Sequence, residues 1–198
     1  DMPIQHINND VLKSMHRATS KEQVVSIITK LREQIPDISI RTSFIVGFPG
    51  ETDEQFNELV TFLEEHPLDN VGIFKYSQEP GSRAAEMENQ IPEAVKEARH
   101  STLMQVQQKV LATTMQKMIG QQLEVIVEGY HPETELLMRA RHRGQCPEID
   151  GQILINDARK VKAFGERYVV EITDVAGYDL VGRAIRPVKP PASRLACC

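Results

Sequence analysis

Thr42-Ser43-Phe44-Ile45-Val46-Gly47-Phe48-Pro49-Gly50-Glu51-Thr52 reads as a strand, a glycine-bounded loop and the cap of a helix. Phe44 to Val46 is a short apolar, partly β-branched run, the pattern of a strand buried on both faces of a parallel sheet. Gly47 and Gly50 bracket Pro49, so the chain turns sharply and its backbone can approach a ligand without Cβ interference. Thr52 with Gln55 three residues on has capping-box spacing and predicts a helix start. This order puts the loop at the carboxyl end of the strand, where open and barrel-like α/β sheets bind ligands. An ordinary βα turn without a ligand has the same spacing, so the flanking sequence has to choose.

Downstream, Phe56, Leu59, Val60 and Leu63 form the core face of the helix, Glu64 to His66 its polar end, and Pro67 closes it. Val71 to Tyr76 is the next strand, and it runs into the turn-rich Ser77-Gln78-Glu79-Pro80-Gly81-Ser82-Arg83. Upstream, Ser20 and Gln23 make another capping box. Val24, Ile27, Ile28, Leu31 and Ile35 then recur as one helical stripe, which Pro36 ends. Ile38 to Val46 returns to the sheet, completing a βαβ unit. Met2 to His6 is a short strand whose Gln5 and His6 either project at the ligand edge or belong to a frayed end. Asn8 or Asn9 caps a short helix with Val11, Leu12 and Met15. Arg17 follows it, able to hold a carboxylate bidentately or to stand as a solvated charge. Strand ends carrying polar or glycine-rich loops on one edge indicate an α/β barrel or partial barrel. A full eight-stranded barrel takes about 250 residues. Residues 1 to 90 supply about three strands, and the remainder is expected upstream of Asp1.

Pro92 suits a helix N1 position. A long helix then carries Val95, Ala98, Leu103, Val106, Val110, Leu111 and Met118, with Gly120 as its C′ residue. The polar run Gln105 to Gln108 reads as an exposed face. After Gly120 the period changes from helical to two, starting at Leu123, Val125 and Val127. Turn signals separate five strands, at 121–129, 136–142, 152–156, 166–175 and 180–186. Five short strands suit a small closed barrel of OB-like type. From Pro187 the chain is proline-rich and reads as a loose tail.

The 198 residues are 40% hydrophobic and 26% charged, an ordinary globular composition. No apolar run approaches a membrane span and the start has no signal-peptide pattern, so a cytoplasmic protein with no membrane contact is expected. The net charge of −5 argues against a general nucleic-acid binder. Three cysteines, Cys146 and the adjacent Cys197 and Cys198, form no disulfide framework and no metal-ligand spacing. Asp1-Met2-Pro3-Ile4-Gln5-His6 begins in mid-pattern, and the chain is expected to be a piece of a longer protein.

The strings DMPIQH, MHR, RTSFIVGFPGET and FKYSQEPGSRA, in that order, resemble the radical S-adenosylmethionine (SAM) methylthiotransferases. The second half resembles the TRAM domain these enzymes carry at the C-terminus. The resemblance implies an α/β plus all-β protein: the C-terminal part of a radical-SAM (β/α) partial barrel with a linker helix over 1–118, a five-stranded OB-like TRAM β-barrel over 119–187, and a tail over 188–198. Cys146-Pro147-Glu148-Ile149-Asp150-Gly151 is similar to a string of the branch that modifies small-subunit ribosomal protein twelve. The implied reaction is β-methylthiolation of an aspartate. A reduced four-iron cluster cleaves SAM to a 5′-deoxyadenosyl radical, the radical takes hydrogen from the β-carbon, and a methylated sulfur is attached there. The cofactors carry the hard chemistry while the protein binds, orients and shields.

By matching to the family, Gln5 lies at the SAM ribose, Arg17 near the methionine carboxylate, and Ile45, Val46 and Gly47 against the adenine. Phe74 and Tyr76 line the same edge, although alternating strand aromatics also suit a core. The family holds two [4Fe-4S] clusters through cysteines, the soft ligands such clusters need. This chain lacks both cysteine sets, so the expectation is no metal in this chain, no turnover by it alone, and Cys146 as a buried or half-buried thiol. On a strand Arg139, Arg141 and Arg143 share one face. They are candidates to touch the substrate or rRNA, the alternative being a solvated strand face. Residues 119–187 hold nine lysines and arginines against eleven acids, which favours a ribosomal protein over tRNA as substrate. The competing readings are a tRNA adenosine methylthiotransferase and a non-catalytic ribosome- or RNA-binding module. The electron and sulfur donors are not legible.

Overall fold

A computed structural model describes residues 1–188. They fall into two compact units that divide between Leu111 and Ala112. The expected tail over 188–198, with Cys197 and Cys198, lies outside the described residues apart from Val188, whose amide donates to the Arg167 carbonyl at 2.9 Å.

The first unit runs α1 (Asn9–Ser14), α2 (Lys21–Gln34), β1 (Arg41–Val46), α3 (Asp53–Glu65), β2 (Asn70–Lys75), a 3-10 turn (Arg83–Glu86) and α4 (Glu93–Gln116). Asn8 caps α1, and both predicted capping boxes form, Ser20 with Gln23 and Thr52 with Gln55. β1 and β2 pair in parallel, with Ile45 opposite Phe74. The segment before α1 adds a parallel bridge from Gln5 to Phe44. Its ladder includes Gln5 N–H to the Ser43 carbonyl and Ile45 N–H to the Gln5 carbonyl, both 2.8 Å. Three parallel rows are therefore present, as the βαβ pattern predicted.

The helices cover one side of these rows. Phe44, Val46, Leu59, Leu63, Ile28 and Leu103 are core residues, and Phe44 meets Phe62 edge to face at 6.2 Å. β1 is not buried on both faces as expected: Phe44 and Val46 are buried while Ser43 and Ile45 are only partly covered. In α2, Val24 and Ile28 are buried but Ile27 and Ile35 are exposed, so the apolar stripe is wider than the contact.

α4 differs from its reading. Lys96, Arg99, Leu103, Gln107 and Met115 are its buried positions, and three of the five are polar or charged. Gln107 therefore faces inward, whereas the run from Gln105 to Gln108 read as solvated. α4 ends at Gln116, and i to i+3 bonds from Lys117, Met118 and Ile119 tighten the chain before Gly120.

The second unit is a closed barrel of β3 (Gln122–His131), β4 (Thr134–His142), β5 (Ile153–Asp157), β6 (Arg167–Ala176) and β7 (Asp179–Pro187), in the order β3-β4-β5-β7-β6. The β5–β7 pair is parallel and the others antiparallel. Alternate residues fill the barrel, among them Val125, Val127, Ile153, Ile155, Val170 and Ile172. Buried Tyr168 satisfies its hydroxyl on the 162–163 backbone, accepting from Lys162 N–H at 3.0 Å and Ala163 N–H at 3.1 Å. The 146–151 turn docks on the β6–β7 hairpin so closely that a Cβ on Gly151 would lie 2.0 Å from the Tyr178 carbonyl oxygen. Half-buried Cys146 starts this turn, its amide donating to Asp150 Oδ2 at 2.6 Å.

Candidate functional site

At the carboxyl edge of the parallel rows lies a cavity of about 500 Å³, lined by residues of the 5–87 region including Gln5, Arg17, Ile45, Phe48, Tyr76 and Arg83. That volume is in the range of small-molecule sites. Two of its walls rest on backbone conformations that L-residues rarely adopt: Gln5 has φ 74° and His16 has φ 55°. Such conformations persist where surrounding bonds over-determine them. The Gln5 amide and carbonyl are both tied to β1, and Gln5 Nε2 donates to Ser43 Oγ at 3.1 Å, which leaves its Oε1 as an acceptor. His16 follows α1 and places Arg17, whose own amide reaches back to the Leu12 carbonyl at 2.9 Å.

Tyr76 continues the β2 ladder, its amide donating to the Val46 carbonyl at 2.9 Å, and its ring meets Phe48 edge to face at 5.4 Å. Its hydroxyl is buried and has no hydrogen-bond partner among the described residues. A buried donor left unmade is costly, and Tyr76 is one of the residues that line the cavity.

Of the residues expected at the site, the cavity brings together Gln5, Arg17, Ile45 and Tyr76. Val46 is fully buried in the core, on the opposite face of β1 from Ile45. Phe74 shares the sheet face of Ile45 through its register but does not line the cavity and is 58% exposed. Gly47 does not turn its amide to the cavity. Its N–H donates to Glu51 Oε2 at 2.7 Å, and a Cβ there would lie 2.4 Å from Lys96 Cγ. Its φ of 73° and that close approach explain the glycine without a ligand.

The loop is shaped from behind by a buried ionic network absent from the sequence reading. The Glu51 side chain is fully buried; Oε2 accepts from the amides of Gly47 and Phe48, and Oε1 from Arg99 Nη1 at 2.9 Å. Arg99 also donates to the Glu51 carbonyl and to Asp53 Oδ1 at 2.7 Å. Burial pushes the Glu51 carboxyl up from the usual carboxylate range, while Arg99 and the two amides pull it back. Lys96 passes its stem under Gly47 and donates to the Tyr76 carbonyl at 3.1 Å. His6 lies against the network, its Nε2 buried and without a hydrogen-bond partner among the described residues. Its Nδ1 accepts from the Asn8 amide at 3.0 Å, so the proton of the neutral ring sits on Nε2, 3.9 Å from Glu51 Oε2. Burial lowers the His6 pKa to about 4; Glu58 opposes this shift and Arg99 adds to it. The one signal of this network in the sequence is the helical spacing of Lys96 and Arg99 with Leu103, which puts them on one face of α4.

On the barrel, Arg139 and Arg141 lie on β4, but Arg143 lies in the turn beyond it, so the three do not share one strand face. Arg141 pairs with Glu128 on β3 at 2.7 Å. Arg139 keeps a buried Nε without a partner among the described residues. Cross-strand pairs also occupy Arg167, with Glu124, and Arg183, with Glu171.

Residues 1–63 match the Radical SAM superfamily and residues 119–185 match the TRAM domain. A radical-SAM portion followed by a TRAM barrel therefore defines the class. Ribosomal protein uS12 methylthiotransferase RimO of Protochlamydia amoebophila (strain UWE25) is 67% identical, covering 93% of this chain and 39% of that protein. The protein of the same name from Chlamydia caviae (strain ATCC VR-813 / DSM 19441 / 03DC25 / GPIC) is 56% identical, covering 95% of this chain and 41% of its own length. That of Bdellovibrio bacteriovorus (strain ATCC 15356 / DSM 50701 / NCIMB 9529 / HD100) is 47% identical over 93% and 40%. The chain is similar to these methylthiotransferases along nearly its whole length, and it spans about two fifths of the length of these curated relatives.

The family uses SAM and iron–sulfur clusters. The cavity fits SAM by the chemistry of its lining: an unpartnered Tyr76 hydroxyl, the Gln5 Oε1 acceptor, the Arg17 guanidinium and apolar Ile45. It does not fit a cluster, because its lining holds no cysteine and the one cysteine among the described residues, Cys146, belongs to the barrel unit. No helix among the described residues is long and apolar enough to cross a membrane.

Proposed function

We propose that this chain is the SAM-binding and TRAM portion of an enzyme that attaches a methylthio group to the β-carbon of an aspartate in the small-subunit ribosomal protein uS12. The observation that carries this reading is the 67% identity, over 93% of the chain, to a relative named as a ribosomal protein uS12 methylthiotransferase. In the proposed site Gln5 accepts from the SAM ribose, Tyr76 donates to the ligand, Ile45 packs on the adenine, and Arg17 holds the methionine carboxylate. SAM supplies the radical when cleaved; this chain's residues bind it, orient it and keep water from it. Both [4Fe-4S] clusters take their ligands outside this chain, so the chain alone is inactive. The functional boundary falls near 118/119, and the enzyme works in the cytoplasm.

The TRAM barrel is proposed to touch the ribosomal substrate or rRNA through Arg139, Arg141 and Arg143. Its cross-strand ion pairs tie up part of its positive charge, which disfavours a phosphate grip on tRNA. The test is anaerobic incubation of the full-length enzyme with SAM and a reductant, offering uS12 and tRNA separately. A methylthio group on the uS12 aspartate is expected. A methylthio group on tRNA adenosine alone overturns the substrate, and SAM cleavage without either product overturns the reading of a transferase.

A further inference from the structure

The cavity holds one cation more than SAM can use. Arg17 and Arg83 both line it, and no aspartate or glutamate does. Neither guanidinium has an ion-pair or hydrogen-bond partner among the described residues, whereas Arg99, Arg141, Arg167 and Arg183 are all paired. SAM carries a single carboxylate together with a cationic ammonium and a cationic sulfonium. Once the SAM carboxylate has taken one guanidinium, the other remains free for a second anion.

The Arg83 side chain is exposed, and the backbone that carries it is fixed. It opens the 3-10 turn that Ser82 caps, with Ser82 Oγ accepting from the Ala85 amide at 3.2 Å. Gln90 Nε2 locks the same turn from behind, donating to the carbonyls of Ala84 at 2.8 Å and Met87 at 2.9 Å. Gln78 Nε2 donates to the Ala85 carbonyl at 2.8 Å. The Gly50 amide donates to the Asn89 carbonyl at 2.8 Å, which ties the segment to the loop after β1. A rigid turn thus presents a free planar fork to the cavity, the group best suited to a carboxylate.

We propose that Arg83 reads the substrate: it grips the side-chain carboxylate of the target aspartate while Arg17 takes that of SAM. This rests on the reaction proposed above. The reacting carbon of that substrate is bonded directly to the carboxylate. A bidentate grip on the carboxylate therefore fixes the β-carbon to within one bond, the kind of positioning that sets reactive geometry.

The test measures binding of uS12, and of uS12 with its target aspartate changed to asparagine, to the cluster-loaded full-length enzyme with S-adenosylhomocysteine present. Wild type is expected to prefer the aspartate form by roughly 10- to 100-fold, the usual worth of a charge-assisted hydrogen bond. In Arg83→Gln that preference falls below about threefold, with SAM affinity unchanged within about twofold. A preference retained in Arg83→Gln overturns the assignment, as does a parallel fall in SAM affinity, which would give Arg83 to SAM. Equal binding of both uS12 forms by wild type overturns it as well. If wild type binds neither form, the ribosomal-protein reading fails and takes the assignment with it.

Discussion

Arg17 and His6 show how differently two residues of one edge contribute. Arg17 is exposed and its guanidinium has no partner among the described residues, so the fold does not depend on it. Arg17→Ala in the full-length enzyme is expected to weaken SAM binding about tenfold or more, the scale of a lost charge-assisted contact, and to shift the unfolding midpoint little. Calorimetric titration with SAM checks this, and an unchanged affinity removes Arg17 from the site. His6 is the reverse: buried, neutral and without a ligand to touch. Its folded pKa of about 4 lies below the ordinary 6.5. The unfolded chain therefore binds the proton more readily between those values, and stability is lost as pH falls from about 6.5 towards 4. The loss attributable to this group is on the order of 3 kcal/mol when complete. Burial raises the Glu51 carboxyl, which acts in the opposite sense at acid pH, so the His6 contribution has to be read by difference. Urea midpoints across this range should converge between wild type and His6→Asn as pH is lowered. Parallel curves would show that His6 does not titrate as placed.

Among the elements, α2, α3 and the five barrel strands were legible because apolar period and capping chemistry agree there. α4 was legible as a helix but not in its orientation. Its inward positions include Lys96, Arg99 and Gln107, residues that any rule of apolar faces assigns to solvent. Arg99 faces inward because Glu51 is already buried and requires a cation, and Lys96 because Gly47 leaves room for its stem. Neither condition is visible within α4. Arg99→Met should destabilise this chain by about 3–5 kcal/mol, since it strands a buried carboxylate. Adding Glu51→Gln should restore part of that loss, as coupled neighbours do. Urea denaturation of the two single variants and the double variant measures the coupling, and strict additivity would deny it. Gly47 was singled out correctly as a special position, but the backbone approach it permits is to Lys96 behind the loop.

For the molecule as a whole, the ordered motifs carried the division into a radical-SAM portion and a small barrel, because each half keeps its own period. The cavity was half legible. Gln5, Arg17, Ile45 and Tyr76 converge, while strand alternation turns Val46 into the core and Phe74, on the face of Ile45, is exposed and outside the lining. Arg83 stands in the turn-rich loop after β2, and its importance comes from sharing a wall with Arg17, a relation between residues distant in sequence. The barrel face was read as one strand of arginines, but β4 ends at His142 before Arg143. With Arg141 already paired to Glu128, changing Arg139, Arg141 and Arg143 to alanine together should weaken uS12 binding several-fold, by roughly 1 kcal/mol, and leave SAM cleavage unchanged. An equal fall in SAM cleavage would make these residues supports of the fold.

The match to the Radical SAM superfamily ends at residue 63, yet the loop between Gly47 and Asp53 is held by Lys96 and Arg99. The four positions 47, 51, 96 and 99 are in effect one heritable character spread over two pieces of sequence. Recombination between relatives that differ there succeeds only where the crossover leaves all four with one parent. A chimera joined between α3 and α4 is expected to inherit a loop from one lineage and its brace from another, whereas one joined beyond Gln107 inherits both together.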